Sequence, residues 1–168
     1  MIVGDMLDEQ DELRQSIAAL LAARRFGVLA TRGAEQPHLS LVAIAVNDDL
    51  ESILFATERL TQKYFNLRSH PRAAILIDNR SELADNLDQG VAVTATGRTE
   101  ELRGAGRAAA RGFFLSKHPY MVGFVTPQTC AILRLGVDDY RLVHGLSEVH
   151  SLHIPQTKSM TPDRGEDE

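Results

Sequence analysis

The sequence predicts a mainly β fold, an antiparallel barrel of roughly six or seven short strands with an N-terminal helix and a few short helices. Short apolar or alternating stretches recur along the chain, separated by segments of turn composition. Strands and helices do not alternate regularly, as they would in a doubly wound α/β sheet. With 168 residues, 43% of them hydrophobic, the chain is long enough to bury one core. We therefore expect a single domain over residues 1–154.

The first predicted element is an amphipathic helix over residues 8–25. Leu13, Ile17, Leu20 and Leu21 recur there at helical spacing. Acidic residues begin the segment and arginines end it, which suits the dipole of a helix at both ends. Three strands follow, in the stretches GVLATRG, PHLSLVAIAV and SILFAT. Because the turn compositions GAEQP and NDDLE separate them, they predict an antiparallel meander.

A second helix is predicted from Thr61 to Ser69. Leu60, Tyr64 and Leu67 fall on one side of it. Pro71 ends it, because the residue before a proline is pushed out of the α region. The apolar stretch AAILID comes next. The short helix therefore connects two strands.

The second half of the chain predicts further strands and one more helix. The polar segment NRSELADNLDQG, with room for one helical turn, leads to the long alternating stretch GVAVTATGRTEEL. Residues 103–117 are rich in alanine and predict a helix, although each glycine in it costs about 1 kcal/mol relative to alanine. The stretch TCAILRLGVDDYRLVHG predicts a hairpin that turns at Gly136 to Asp139. The polar, charged tail 155–168 is expected to be disordered.

Composition argues against several classes of protein. The formal net charge of -5 does not favour nucleic acid, because binding it needs a basic face. No run of about 18 apolar residues is present to span a membrane, and the N-terminus is acidic where a secretory signal would be basic. A cytoplasmic protein is expected. Cys130 is the only cysteine and lies in an apolar stretch, which predicts a buried strand thiol and excludes a disulfide framework.

The start of the second predicted helix is the candidate binding site. A helix that begins near Thr61 directs its unpaired backbone N–H groups and positive dipole end outward, which makes a ready phosphate site. The side chains of Thr61, Gln62 and Lys63 add donors there, and Lys63 supplies a positive charge. Thr57, at the end of the preceding strand, is placed to donate to the same phosphate. The alternative interpretation is an ordinary surface helix that Thr61 caps.

The segment FATERLTQKYFNLRSHPRAAILI resembles, without a gap, the FMN-binding segment of the pyridoxamine 5'-phosphate oxidase family. In that family, a strand that ends in aromatic-Thr is followed by Ser-Arg-Lys at a helix start and later by Asn-Pro-Arg-Val. The residues that match its threonine, serine, arginine and lysine are Thr57, Thr61, Gln62 and Lys63. Pro71 and Arg72 match its Pro-Arg. With GAEQPHLSLVAIAV and GRTEEL, the likeness covers roughly residues 25–102.

The resemblance implies a split β-barrel, a Greek-key-like antiparallel barrel that binds FMN in a groove between the two subunits of a homodimer. Flavin would then carry out hydride or electron transfer on a small-molecule substrate. The chain is therefore expected to be an FMN-dependent oxidoreductase, with no catalytic residue and no metal ligand named. The cofactor-binding residues that the resemblance implies are Ser40, Leu41, Val42, Ala56, Thr57, Thr61, Gln62 and Lys63.

Two positions depart from the pattern of the oxidases. Ser40 falls where they carry a phosphate-binding arginine, and Ala45 falls where they carry a further lysine. Their C-terminal arginine-rich segment, which binds pyridoxamine, has no counterpart, so pyridoxamine phosphate oxidase activity is not expected. Ser40, FLSKHP and LVHGL also resemble the haem-utilisation branch of this fold. A haem-binding protein and a flavin-binding module without turnover are therefore alternative functions, and a deazaflavin is an alternative cofactor.

Several other signals carry less weight. The spacing of His144, His150 and His153 could serve a metal or a haem iron, although solvated histidines are the simpler interpretation. His118 either lines the flavin groove or ends a helix at the surface. Arg72 is expected to make a structural ion pair. The letters GAGRAA fit a dinucleotide fingerprint but lack the βαβ context, and they predict a small-residue helix packed close on the barrel.

Overall fold

The structure is a computed structural model that describes residues 2–79 and 87–155, with side chains from Glu9 onward. Its strands are β1 (Phe26–Arg32), β2 (Pro37–Val46), β3 (Ser52–Glu58), β4 (Arg72–Asp78), β5 (Val91–Glu101), β6 (Cys130–His144) and β7 (Glu148–His153). Its helices are α1 (Ile2–Ala23), α2 (Gln62–Ser69), α3 (Gly104–Lys117) and α4 (Val122–Val125). Short 3-10 turns cover Leu87–Gln89 and Pro119–Met121.

The strands form a closed antiparallel barrel. Their order is β3-β2-β1-β4-β5-β6-β7, and pairing of β3 with β6 closes six of them into a barrel, with β7 added at the outside of β6. The meander β1-β2-β3 is confirmed, and β4 returns to pair with β1, which gives the Greek-key order. The mainly β fold class predicted from the sequence is therefore confirmed.

The barrel interior holds the larger hydrophobic cluster. Residues at every second position of the strands point into it, and α1 and α2 cover it with Ile17, Leu21, Tyr64 and Leu67. Burying each large side chain of this kind contributes about 1.5–3 kcal/mol. A smaller cluster lies on the outer face of β2, β3 and β6, under α3. Its members include Ala43, Ala45, Leu54, Ala56, Ala110, Phe114, Cys130 and Ile132.

The hairpin predicted at Gly136 to Asp139 is wrong. β6 runs through this segment as one strand of 15 residues, and the chain reverses later, near Gly145. The turn-like letters mark a β-bulge instead. Pairing with β5 shifts register between Thr96 and Gly97, so that Asp138 is an extra residue that bends β6. The bend lets a single strand pair with β3, β5 and β7.

Other sequence expectations also need correction. Leu60, predicted to lie with Tyr64 and Leu67, is 87% exposed because it precedes α2. The glycines of α3 do not pack close on the barrel, since a Cβ built on Gly104, Gly106 or Gly112 would meet no atom within 4 Å. The disordered tail predicted for 155–168 lies outside the described residues, apart from residue 155. In the described part of the chain, no helix is long and apolar enough to cross a membrane.

Candidate cofactor site

The end of β3 brings two threonine hydroxyls together. Pairing with Ala131 of β6 holds Thr57 in place, and Thr57 is only 2% exposed. Its hydroxyl oxygen lies 2.9 Å from that of Thr61, and the Thr61 hydroxyl donates to the Glu58 carbonyl at 2.8 Å. Because the Thr61 hydrogen is directed at Glu58, Thr57 is the donor in the bond between the two hydroxyls. The structure thus joins the two threonines that the sequence places four residues apart.

The N-terminus of α2 has no side-chain cap. Thr61 occupies the N-cap position, yet its hydroxyl makes no bond to the first-turn backbone N–H groups. The Tyr64 N–H bonds to the Thr61 carbonyl at 3.1 Å, whereas the N–H groups of Gln62 and Lys63 have no such partner in the described residues and remain free to bind an anion. The side-chain capping bond that the surface-helix interpretation expects of Thr61 is therefore not formed.

Lys63 and Gln62 differ in how they are placed for this site. Lys63 is half-buried, and no side chain or carbonyl of the described residues, 2–79 and 87–155, makes a hydrogen bond or ion pair with its ammonium group. The amide of Gln62 donates instead to the Asn66 side chain at 2.8 Å, and Asn66 donates to the Thr31 hydroxyl at 3.0 Å. Lys63 is available to a ligand as it stands, whereas Gln62 would need to change rotamer.

The residues predicted on β2 divide between its two faces. Val42 is buried in the barrel, and Ser40, on the same face, lies 3.3 Å from His38 Nδ1. Leu41 points the opposite way and is 71% exposed. Ala56 of β3 is buried under α3. Because these side chains point to opposite faces of β2, one ligand could contact Ser40, Leu41 and Val42 together only through their backbone atoms.

An ion pair fixes the loop between β3 and α2. Arg59 pairs with Glu101 at the end of β5, and the Tyr64 hydroxyl donates to the same carboxylate at 2.7 Å. Arg59 also donates to the carbonyls of Gln128 and Cys130. Burial raises the pKa of Glu101, but the hydrogen bonds from Arg59 and Tyr64 outweigh it, so the pKa lies below its ordinary value. The start of α2 is therefore rigidly tied to the barrel.

The larger clefts of the described chain lie away from the candidate residues. One of about 760 Å³ separates α1 from the β6–β7 hairpin, and one of about 740 Å³ adjoins the β1–β2 turn. Neither is lined by any of the eight residues from Ser40 to Lys63 that the sequence indicates. At the start of α2, Gln62 is exposed, Thr61 and Lys63 are partly exposed, and Thr57 is buried.

His118 is a core residue. It is fully buried, its Nε2 lies 2.7 Å from the Ile44 carbonyl, and its ring lies 4.8 Å from that of Phe114. Both interpretations of His118, groove lining and helix-ending surface histidine, are therefore wrong. It joins the end of α3 to β2. Cys130 is also fully buried, as predicted, and burial raises the pKa of its thiol.

The C-terminal histidines do not converge. His144 and His150 both lie near Glu148, at 3.6 and 3.0 Å, whereas His153 pairs with Asp139 at 2.9 Å. In the ranges that the structure describes, no three His, Cys, Asp or Glu side chains are placed to hold a metal ion. Arg72 makes the expected ion pair, with Asp138 at 2.7 Å.

A comparison with protein families matches residues 13–119 to pyridoxamine 5'-phosphate oxidase. The chain belongs to this family. The matched range runs from α1 to the end of α3 and so includes every candidate residue. Among curated proteins, none matches the chain.

Solved structures share the family fold. A haem-binding protein from Mycobacterium smegmatis is 25% identical, with a TM-score of 0.75 over 83% of this chain and 57% of its own. This chain therefore spans little more than half the length of that relative. An FAD-binding protein from Mesorhizobium loti is 20% identical, with a TM-score of 0.60 over 76% of this chain and 91% of its own.

A third structure comes from Clostridium acetobutylicum, a protein related to general stress protein 26 of the pyridoxinephosphate oxidase family. It is 12% identical, with a TM-score of 0.68 over 85% of this chain and 95% of its own. At these identities, this structure and the Mesorhizobium loti protein show the fold alone.

Sequence reasoning missed the residues that tie the site together. Glu101 is distant in sequence from Arg59 and Tyr64 and meets them only because β3 and β5 both flank β6. One missed signal was present in the sequence: Arg103, Arg107 and Arg111 recur every fourth residue, which places them on one side of α3.

Proposed function

We propose that this chain binds FMN with its phosphate at the start of α2, and that it is an FMN-dependent oxidoreductase. Thr57, Thr61 and Lys63 would hold the phosphate, with Gln62 after a change of rotamer. Ser40, Leu41, Val42 and Ala56 would lie along the rest of the cofactor. FMN, when bound, supplies hydride or electron transfer. The protein's part is to bind the cofactor, orient it and exclude water from it.

The observation that carries this proposal is the uncapped start of α2 beside the threonine pair. The free N–H groups of Gln62 and Lys63 and an ammonium group suit the oxygens of a phosphate, and the two hydroxyls could donate to it by turning from their internal acceptors. The rigid loop keeps these donors in place, because Arg59 and Tyr64 both bond to Glu101. A site that is arranged before binding loses little entropy when the ligand arrives.

The same residues argue against turnover of pyridoxamine phosphate. Ser40 and Ala45 supply no charge, and Ala45 is buried under α3. Lys63 is then the one formal positive charge among the candidate residues. We therefore propose a different small-molecule substrate.

An exposed apolar face supports a homodimer with the cofactor between its subunits. On the outside of β2, Leu39 and Leu41 are 65% and 71% exposed, beyond the area that α3 covers. Leu41 pairs with Val28 of β1, and Val28 pairs with Leu76 of β4, so these side chains share one face. A second subunit packed on this face would turn the open surface at α2 into a groove.

The test is the absorbance spectrum of the purified protein, followed by titration with FMN. We expect a flavin spectrum, or one regained on adding FMN, and about tenfold weaker binding by Lys63→Ala. Arg68→Ala is the matched control, because it removes one positive charge from the last turn of the same helix. The proposal fails if the unmutated protein binds no FMN. It also fails if Lys63→Ala and Arg68→Ala weaken FMN binding equally. A deazaflavin titrated in parallel would identify the alternative cofactor.

Oxidoreductase activity needs its own assay. With FMN bound, oxidation of NADH or NADPH in the presence of an acceptor is the expected result. Tight FMN binding without turnover would instead assign the chain as a flavin-binding module.

Haem binding is the second candidate, because the similar protein from Mycobacterium smegmatis is described as haem-binding. The cleft between α1 and the β6–β7 hairpin is lined by His144 and His150, which are exposed enough to reach a ligand. A Soret band on adding haem, lost in His144→Ala or His150→Ala, would support this function. His153→Ala is the control, since that side chain pairs with Asp139 outside the cleft.

A further inference from the structure

A separate cleft at the other side of the β3–α2 loop concentrates positive charge. It has a volume of about 500 Å³ and lies beside the start of α3. Four arginines line it, together with one carboxylate, that of Glu101, so its formal charge is +3 (four minus one). The whole chain, by contrast, has a formal net charge of -5. The residues that line the cleft are Arg59, Glu101, Arg103, Gly104, Arg107, Ala108, Arg111 and Gln128.

The contacts of these arginines separate them into two kinds. Arg59 bonds to Glu101, and Arg107 donates to the carbonyls of Val125, Pro127 and Cys130 at 3.1–3.2 Å. These two guanidinium groups are held by the fold and form the fixed floor of the cleft.

Arg103 and Arg111 are the available donors. Arg103 lies 3.6 Å from Glu101, too far for a strong hydrogen bond, and its side chain is exposed. No hydrogen bond or ion pair reaches Arg111 from the described residues. Both can therefore turn toward a ligand without breaking a bond that the fold depends on.

A bound anion would relieve charge repulsion among the arginines of α3. Arg103, Arg107 and Arg111 are four residues apart in succession, and like charges at this spacing repel one another. Glu101 offsets only part of this charge, because one carboxylate pairs with Arg59 and also lies 3.6 Å from Arg103. The Arg107 Nε is also buried without a hydrogen-bond partner in the described structure.

The backbone adds donors to the same cleft. Arg103 occupies the N-cap of α3 without making a side-chain cap, so the first N–H groups of the helix are not satisfied by it. Gly104 has φ +52, and a Cβ at Gly104 or Gly106 would meet nothing within 4 Å. A ligand can therefore approach this stretch of backbone without obstruction.

We propose that this cleft is an anion site that binds the phosphate group of a small molecule. Arg103 and Arg111 bind the phosphate oxygens, the first N–H groups of α3 donate to them, and Arg59 and Arg107 contribute charge from below. Planar guanidinium groups match phosphate oxygens in geometry as well as charge. The cleft is distinct from the start of α2, and the proposal does not depend on FMN binding.

The experiment is calorimetric titration of the full chain, saturated with FMN beforehand so that the start of α2 is occupied, with inorganic phosphate and, separately, with AMP. We expect one saturable site, at which Arg103→Ala and Arg111→Ala each weaken binding about tenfold. Arg141→Ala is the matched control, because it removes an exposed arginine from β6, outside the cleft. Tighter binding of AMP than of phosphate would identify an organic phosphate as the ligand, and equal binding would identify the free anion.

A second measurement locates the ligand. Backbone amide signals of Gly104 and Gly106 should shift on adding phosphate, and those of Gln62 and Lys63 should not. Arg111→Lys, which keeps the charge but loses the planar fork, should bind more weakly than the unmutated protein. Absence of saturable binding, an equal loss in Arg141→Ala, or unchanged binding by the Arg103 and Arg111 variants would each overturn the proposal. Lys63→Ala should leave phosphate binding here intact, which separates this result from the FMN test.

Discussion

Glu101 shows how one side chain can organise a site that it does not touch. It receives bonds from Arg59, in the loop before α2, and from Tyr64, within α2. It also ends β5 and adjoins the start of α3. The carboxylate thus fixes both the start of α2 and one wall of the arginine-lined cleft.

The depressed pKa of Glu101 makes its contribution depend on pH. Burial raises the pKa, and the bonds from Arg59 and Tyr64 lower it further than that, to below the ordinary value of 4.5. A carboxyl with a depressed pKa stabilises the fold above its ordinary pKa, and the stabilisation is lost as pH falls through the folded value. We expect Glu101→Gln to cost about 1–3 kcal/mol in free energy of unfolding at pH 7, and less as pH falls below about 4.

Urea unfolding of the Glu101→Gln variant and the unmutated protein, at pH 7 and below about pH 4, measures this difference in free energy of unfolding. Glu100→Gln is the neighbouring control, because Glu100 pairs with Arg134 at a more exposed position and should cost less, about 0–1 kcal/mol. A loss for Glu101→Gln that is the same at both pH values would show that its charge is not responsible.

Among the elements, β6 depends on close contact with β5 at the bulge. A Cβ built on Gly97 would lie 1.9 Å from the Gly136 carbonyl oxygen, and that atom belongs to backbone that cannot move aside. A Cβ on Gly136 would lie 3.7 Å from the nearest atom, the Arg98 carbonyl oxygen, which is ordinary contact. Of these two positions, only Gly97 on β5 requires glycine.

We expect Gly97→Ala to destabilise the barrel by several kcal/mol, roughly 2–4, because β5 and β6 must separate at the bulge. Gly136→Ala should change the free energy of unfolding by less than about 1 kcal/mol. Thermal unfolding of the two variants side by side is the measurement. Equal losses in both would contradict this account of the bulge.

Helix α3 offers the opposite case, a glycine that the structure does not need. Gly112 lies in the helix interior and has open space around its Cα. Gly112→Ala should therefore raise the free energy of unfolding by about 0.5–1 kcal/mol, since alanine loses less backbone entropy.

Gly104→Ala is the control for this prediction. Its φ of +52 is strained for alanine, so we expect no gain there, and a loss of about 1 kcal/mol. Chemical denaturation distinguishes the two. Stabilisation by both substitutions would mean that α3 begins differently in solution.

At the scale of the whole molecule, the apolar outer face of β2, β1 and β4 is exposed to solvent in the isolated subunit. Leu39 lies on it and pairs with Ala30 of β1, outside the candidate cofactor residues. Leu39→Glu should shift the proposed homodimer to monomer in analytical ultracentrifugation and should weaken FMN binding as well, because the groove needs both subunits.

Leu146→Glu provides the control for the dimer. Leu146 is similarly exposed but lies in the turn between β6 and β7, away from this face. It should leave the oligomeric state unchanged. If the unmutated protein is a monomer at micromolar concentration, the proposed groove does not exist and the FMN site would have to be complete within one subunit.

Much of the fold could be predicted from the sequence because local patterns carry it. Strand alternation, Pro71 after α2 and the helical spacing of Ile17, Leu20 and Leu21 are local, and β1 to β5, α2 and α3 formed close to the predicted positions. The first helix is longer at its start than predicted, Ile2–Ala23 against residues 8–25, and β7 was not predicted. The segment from Gly136 to Asp139 was predicted as a turn because β-bulges and turns favour the same residue types. Only the pairing partner of the segment distinguishes them.

The candidate site divides in the same way. The order of Thr57, Thr61 and Lys63 at a strand-to-helix junction is a property of the sequence, and it determined where a phosphate would be sought. Tertiary structure decided that Asn66 bonds to Thr31, that His118 is buried, and that Glu101 holds the loop before α2. The physical reason is distance along the chain: spacing within one helix or strand sets which residues share a face, whereas contacts between β3, β5 and α3 exist only once the barrel has closed.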